Sequence, residues 1–232
     1  MRLSELPEDI QERVHATRER VARLHGELPA NNLVVWTAGN VSERVEGTDF
    51  FVIKPSGVRY DELCAETMVV CTCDGEKIDD GTPAELSPSS DTAAHAYVYR
   101  HMSKVGGIVH THSTYATAFA AAHRPIPCVL TMMSDEFGGE VPVGPFAIIG
   151  DDSIGRGIVE TLKDSRSPAV LMANHGPFTI GKNGEAAVKA AVMVEEVART
   201  VAIAEQLGTP IPVAQKHTDT LYERYQKVYG QH

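Results

Sequence analysis

The chain of 232 residues is poor in cysteine and has no long apolar run. Its four cysteines show no Cys-x-x-Cys spacing, and so small a number excludes a scaffold that depends on disulfides. No uninterrupted apolar run approaches the ~20 residues that a membrane-spanning helix requires. The first residues also lack an apolar segment behind a basic one, so no secretory signal is expected. These absences predict a soluble, cytoplasmic protein.

Positive charge is scarce as well. The 21 basic residues are outnumbered by 31 acidic ones, and the formal net charge is −10. Binding to a phosphate backbone requires clustered cations, so this balance argues against a nucleic-acid partner. The motifs Gly-x-x-x-x-Gly-Lys-[Ser/Thr] and Gly-x-Gly-x-x-Gly are absent too, which argues against a nucleotide. A small phosphate can still be bound by backbone amides and a single lysine.

Helix-like and strand-like segments alternate along the chain with short connections. This alternation predicts one α/β domain over residues 1–232. Apolar residues at helical spacing predict helices over 8–27, 92–102, 115–122, 154–163 and 185–207. Short apolar runs predict strands over 33–36, 50–53, 68–73, 168–173 and 178–180. The polar segment 134–139, which ends in two glycines, is predicted to be a turn.

One further apolar run follows two glycines and ends in His110-Thr111-His112. Alternate side chains of a strand share a face, so His110 and His112 are expected to point the same way. Two imidazoles on one rigid face can begin a divalent metal site. The alternative is a pair of polar residues at a strand end that bond to loops.

A third histidine, His175, follows another buried-type strand and precedes Gly176-Pro177. Three imidazoles with an open or carboxylate-filled position are typical of catalytic zinc sites, and Asp91 offers an oxygen donor at a helix start. Asp91 also lies four residues before His95, on one helical face. That pair is interpreted as a solvated ion pair, and the alternative is that both residues are metal ligands. His25, in the first predicted helix, is expected to lie on the surface.

Three turns rich in small residues can expose backbone amides to an anion. They are Thr37–Ser42, Lys54–Gly57, where Lys54 adds a cation, and Pro88–Asp91 at the start of a helix. For the first of them an ordinary β-turn is the alternative.

Taken together and in order, these blocks resemble the class II aldolase/adducin-head family. The resemblance covers nearly the whole chain, and its carriers are residues 37–42, 53–57, 88–91, 106–113, 174–177 and 229–231. It implies a three-layer α/β/α sandwich with a central, mostly antiparallel sheet. It also implies a homotetramer with active sites at subunit interfaces and one divalent metal ion per subunit, zinc in the first place, with manganese or cobalt as alternatives.

The same resemblance implies roles for individual residues. The metal would be bound by Asp91, His110, His112 and His175. The phosphate of a sugar-phosphate substrate would be held, beside Lys54, by Gly39, Asn40, Ser56, Gly57, Ser89 and Ser90. Asp135 and Tyr229 match an acid/base pair, of which the tyrosine would come from a neighbouring subunit.

The position of Asp91 separates the branches of the family. Aldolases of the fuculose-phosphate type carry a glutamate there, whereas the epimerases carry an aspartate, as this chain does. The implied activity is therefore conversion of L-ribulose 5-phosphate to D-xylulose 5-phosphate by retro-aldol cleavage and re-addition at C4. The alternatives are a class II sugar-phosphate aldolase and a non-enzymatic, adducin-like head.

Overall fold

The seven strands found in residues 1–229 form one sheet at the centre of the structure. We describe it from a computed structural model, in which the backbone of residues 1–229 and the side chains of residues 1–227 are described. The strands are β1 (Asn40–Arg44), β2 (Phe50–Ile53), β3 (Val69–Thr72), β4 (Gly107–His110), β5 (Val143–Gly144), β6 (Ala169–Met172) and β7 (Gly176–Gly181). Their order is β3-β2-β1-β4-β7-β6-β5, and only β5 and β6 pair in parallel.

Helices cover both faces of this sheet. They are α1 (Glu8–His25), α2 (Glu27–Ala30), α3 (Thr92–His101), α4 (Thr114–Ala121), α5 (Thr131–Phe137), α6 (Ser153–Leu162), α7 (Gly184–Leu207) and α8 (Gln215–Arg224). Short 3-10 turns lie at Leu3–Glu5, Tyr60–Glu62 and Ala65–Thr67, and a π-helix follows α8 at Tyr225–Tyr229. Across the residues that the structure describes, none of these helices combines the length and apolar character needed to cross a bilayer.

Alternation along the strands divides the core into two layers. Ile108 packs with α3 and α6, whereas its neighbour Val109 packs with α1 and α7 on the opposite face. Val170 and Leu171 divide in the same way, Leu171 joining the cluster of α4, α5 and α7. The sheet is therefore buried on both sides, and the predicted three-layer α/β/α sandwich is confirmed.

Two predictions of local structure are wrong. No strand forms over residues 33–36, and β1 begins only at Asn40, inside the predicted turn. Trp36 and Gly39 have left-handed φ angles of 57° and 79°, so the chain bends before it can pair. The predicted turn at 134–139 is mostly helix α5, and only Gly138, with φ 63°, ends it as a left-handed cap.

Candidate metal centre

Three histidine side chains converge at one edge of the sheet. His110 is the last residue of β4, His112 follows two residues later, and His175 lies in the turn between β6 and β7. Because β4 pairs with β7 in the register His110↔Phe178, the two segments are neighbours. The ring centroids lie 4.5–5.4 Å apart, and one ligand nitrogen from each residue lies within 4.8 Å of the others. The predicted cluster of three imidazoles is thus present.

Hydrogen bonding selects which nitrogen of His110 faces the cluster. Its Nδ1 lies 3.0 Å from the carbonyl oxygen of Pro177 and donates to it, so Nε2 keeps a free lone pair. That Nε2 is 2.9 Å from Nε2 of His112. In a tetrahedral zinc site with bonds of ~2.0–2.1 Å, two ligand nitrogens would be ~3.3 Å apart. The spacing is therefore close to what a shared ion requires.

The three imidazoles are kept neutral by their surroundings. Burial lowers the pKa of His110 well below its usual range, and the nearby His175 and His112 lower it further. Burial also lowers the pKa of His112 and of His175, while the carboxylate of Asp91 acts in the opposite direction. Neutral imidazole is the form that binds a metal, so this donor set fits a divalent ion.

Asp91 is buried beside the cluster. It occupies the N-cap position of α3, and its Oδ2 accepts a hydrogen bond of 2.7 Å from the side-chain amide of Asn40. Its Oδ1 is buried and has no hydrogen-bond partner in the part of the chain that the structure describes. A buried carboxylate oxygen needs a partner, which a metal ion would provide. Its assignment as a ligand stays a prediction, because the group of mutually close donor atoms contains the histidines alone among the described residues.

The interpretation of Asp91 and His95 as a solvated pair is wrong. Both residues are buried, and His95 is fully inaccessible. Nδ1 of His95 lies 2.7 Å from Oγ of Ser42, which in turn lies 2.8 Å from the hydroxyl of Tyr99. Burial lowers the pKa of His95 to about 4. His95 is therefore a neutral part of the core beneath the histidine cluster.

The predicted phosphate-binding residues share a cavity with the histidines. Its volume is about 280 Å³. All the residues predicted to bind metal or phosphate line it, and the full lining is Thr37, Ala38, Gly39, Asn40, Lys54, Pro55, Ser56, Gly57, Ser89, Ser90, Asp91, His110, His112, Ile149 and His175. The predicted residues thus come from five separate segments of the sequence and are brought to one place.

Lys54 is the cation of this cavity. Only 2% of its surface is exposed, and its Nζ donates to the carbonyl oxygens of Thr37 and Pro55, each 3.2 Å away. None of the ion pairs among the described residues involves it. Burial lowers its pKa to about 8. A buried cation that lacks a counter-ion is suited to bind an anionic ligand.

His25 is a site-supporting residue that the sequence reasoning missed. Instead of lying on the surface it is 1% exposed, and burial lowers its pKa to about 3. Its Nδ1 donates to the carbonyl of Val21 at 2.7 Å, and its Nε2 accepts the backbone N–H of Val41 at 2.9 Å. The bond to Val41 ties the start of β1 to α1, directly beside Asn40 of the cavity. The sequence signal that could have indicated its burial is the spacing of four residues from the apolar Val21, which places both side chains on one face of α1.

Asp135 lies in a different cavity. Together with Leu221, Arg224 and Tyr225 it lines a space of about 240 Å³, to which none of the described histidines contributes. Burial raises the pKa of Asp135, with Arg224 opposing. The other predicted acid/base residue, Tyr229, ends the π-helix, and its side chain lies outside the described residues. Within one chain, Asp135 is therefore separate from the three imidazoles.

Comparison with known proteins agrees with this geometry. The sequence pattern of the family described as Class II Aldolase and Adducin N-terminal domain matches residues 19–202. The chain belongs to this family. A relative in Mycoplasma pneumoniae, named as probable L-ribulose-5-phosphate 4-epimerase UlaF, is 40% identical over 212 residues. The match covers 86% of this chain and 86% of the relative.

Solved structures of class II aldolase type share the fold. An L-fuculose 1-phosphate aldolase superposes with a TM-score of 0.84 at 25% identity, over 91% of this chain and 96% of that one. YgbL from Klebsiella pneumoniae, described as a putative aldolase/epimerase/decarboxylase, gives a TM-score of 0.75 at 27% identity. That match covers 90% of this chain and 98% of YgbL. The resemblance inferred from the sequence blocks is confirmed.

Proposed function

We propose that this protein is a metal-dependent epimerase that converts L-ribulose 5-phosphate to D-xylulose 5-phosphate. The observation that carries the proposal is one cavity that holds three neutral imidazoles together with a buried lysine, which forms no ion pair among the described residues. Such a cavity suits a small sugar whose oxygens bind a metal and whose phosphate needs a cation. The relative of 40% identity, itself named as a probable 4-epimerase, supports this choice within the family.

The chain would hold one divalent ion through His110, His112 and His175, with Oδ1 of Asp91 as an oxygen ligand. Zinc suits the nitrogen donors, and manganese or cobalt are the alternatives. When bound, the ion supplies Lewis-acid stabilisation of the negative charge that develops on the sugar oxygens.

The phosphate would be bound by a second group of residues that line the same cavity as the metal-binding residues. Lys54 supplies the charge, and Ser56, Ser89 and Ser90 supply hydroxyl groups. The amides of Gly39 and Gly57 lie in left-handed turns, φ 79° and 71°, of the kind that form anion-binding concavities. Asn40 links the two groups, because its amide donates both to Oγ of Ser89, at 3.0 Å, and to Asp91.

Epimerisation by cleavage and re-addition of the C3–C4 bond needs proton transfer on both faces of the aldehyde. Asp135 and Tyr229 are the proposed groups. Since Asp135 lies in a separate cavity of its own chain, we propose that a neighbouring subunit of a homotetramer supplies both of them. The raised pKa of Asp135 favours proton exchange closer to neutral pH.

A class II aldolase of the fuculose-phosphate type is the second candidate, and the superposition with a TM-score of 0.84 favours it. Asp91 counts against it. The aspartate is one methylene shorter than the glutamate of that branch, and its Oδ2 is already bound to Asn40. The third candidate, an adducin-like head, does not require the three imidazoles and the buried Lys54.

The deciding experiment incubates the metal-loaded protein with L-ribulose 5-phosphate and measures D-xylulose 5-phosphate, free dihydroxyacetone and glycolaldehyde phosphate together. We expect the epimer without accumulation of the fragments. His110→Ala should lose both activity and metal, whereas Asp135→Asn should lose activity and keep its metal. Fragments without epimer would show an aldolase. No product, with no metal in the purified protein, would favour the structural head.

A further inference from the structure

Helix α4 connects the two segments that carry His112 and His175. It begins at Thr114, two residues after His112. In its last turn, the carbonyl oxygen of Ala120 accepts the backbone N–H of Asn174 at 3.2 Å, and Asn174 immediately precedes His175. Helix α4 therefore links the backbone next to His112 to the backbone next to His175.

The first turn of α4 is held by a side chain from another helix. Oε1 of Glu195 accepts the N–H of Tyr115, and Oε2 accepts the N–H of Ala116, both at 2.9 Å. These are N–H groups that have no partner inside their own helix. Ser113, at the N-cap position, makes no capping bond through its side chain within the described residues. Glu195 thus replaces the usual local cap, and its charge faces the positive end of the helix dipole.

Glu195 is itself firmly placed. It belongs to α7, the helix of 24 residues that packs along the sheet. The neighbouring side chains Val194, Val197 and Ala198 are buried in the cluster that also contains Ala116 and Ala120 of α4. A carboxylate on so rigid an element can transmit the position of α7 to the backbone that follows His112.

We propose that Glu195 is a positioning residue of the metal centre. Its carboxylate fixes the start of α4 and, through it, the place of His112 relative to His110 and His175. The proposal rests on the metal dependence of the proposed function, but it concerns a residue that does not line the cavity among the described residues.

The test measures metal binding without substrate. Metal-free protein is titrated with Co²⁺, and both the dissociation constant and the visible absorption spectrum are recorded. Glu195→Gln offers an NH₂ group where one backbone N–H needs an acceptor, so we expect Co²⁺ affinity to fall ~10–100-fold with an altered spectrum. The matched control is Glu196→Gln, since Glu196 is the next residue and pairs only with Arg199 on the surface among the described residues. It should bind Co²⁺ like the wild type.

Glu195→Asp serves as the conservative variant. It keeps the charge on a shorter side chain and should recover most of the affinity and the wild-type spectrum. If folded Glu195→Gln binds Co²⁺ with unchanged affinity and spectrum, the proposal is wrong. If Glu195→Gln does not fold, Glu195→Asp and Glu196→Gln decide: the shorter carboxylate of Glu195→Asp should bind Co²⁺ a few-fold more weakly than Glu196→Gln does, and equal Co²⁺ affinities in the two variants would overturn the proposal. A wild type that binds Co²⁺ but does not epimerise would contradict the proposed function alone.

Discussion

Lys54 shows how one residue can be unfavourable for folding and suited to binding. Its ammonium group is buried against carbonyl oxygens, and in the described residues it has no carboxylate partner. The charged form is disfavoured there, which is why burial lowers the pKa of Lys54 to about 8. A phosphate would provide the missing counter-ion.

Replacement of Lys54 should therefore weaken substrate binding without weakening the fold. Below pH 8 the folded protein carries a buried charge, and this cost disappears as the pH rises from 8 towards the ordinary lysine pKa of ~10.4. Lys54→Met removes the charge, so the variant should be at least as stable as the wild type in urea unfolding at pH 7. Its kcat/KM should fall by ~10–100-fold, the value of a charge-assisted hydrogen bond. The exposed Lys104→Met is the control and should change neither quantity.

The wild-type pH profile offers a second measurement on the same residue. Because the free protein loses the Lys54 charge as the pH rises through about 8, kcat/KM should decline above that pH and level off at a value ~10–100-fold lower, that of the uncharged form. Lys54→Met should lack this decline. If the variant keeps the decline, another group is responsible and Lys54 does not bind the phosphate.

At the scale of elements, the contact between β4 and α7 depends on a glycine. A Cβ built on Gly107 would lie 2.3 Å from the backbone of Asn183, where α7 begins. No side chain can move aside there, because the opposing atoms belong to the backbone. The pair Gly106-Gly107 thus lets α7 start directly beside the strand that ends in His110.

Gly107→Ala should destabilise the protein by about 3 kcal/mol or more, because α7 must move away from the strand. Urea unfolding gives the free energy of unfolding. Gly208→Ala is the control, since nothing lies within 4 Å of a Cβ built at Gly208. Equal unfolding midpoints in the two variants would show that the β4–α7 contact adapts.

At the scale of the whole molecule, the question is whether one chain makes a complete site. The histidines and Asp135 line different cavities. In a cyclic tetramer, each site would combine the metal-binding half of one chain with the proton-transfer half of its neighbour.

Mixed assemblies test this arrangement. His110→Ala and Asp135→Asn chains should each be inactive, but co-refolding in equal amounts would make about a quarter of the sites complete. We expect about that fraction of wild-type activity. Mixing His110→Ala with His112→Ala should recover none, because both defects lie in the same half. An inactive His110→Ala/Asp135→Asn mixture would show that each site belongs to one chain.

Much of the site could be predicted from the sequence because its residues follow strands and turns. His110, His112 and His175 each follow an apolar run, and the glycines and serines mark turns rich in small residues. Side-chain type and local spacing are sufficient for such a prediction. The same reasoning failed at Trp36, where a left-handed backbone interrupts an apolar run that otherwise favours a strand.

The sequence by itself determined the chemical groups available: three imidazoles, Asp91, Lys54 and the small-residue turns, because these are properties of residue type. Only the tertiary structure decided their surroundings. Burial makes His25 and His95 neutral core residues, and within residues 1–227 it leaves Lys54 without a carboxylate partner. The path of the chain places Asp135 in a different cavity from the histidines. Such features depend on which distant elements pack together, and no local pattern encodes that.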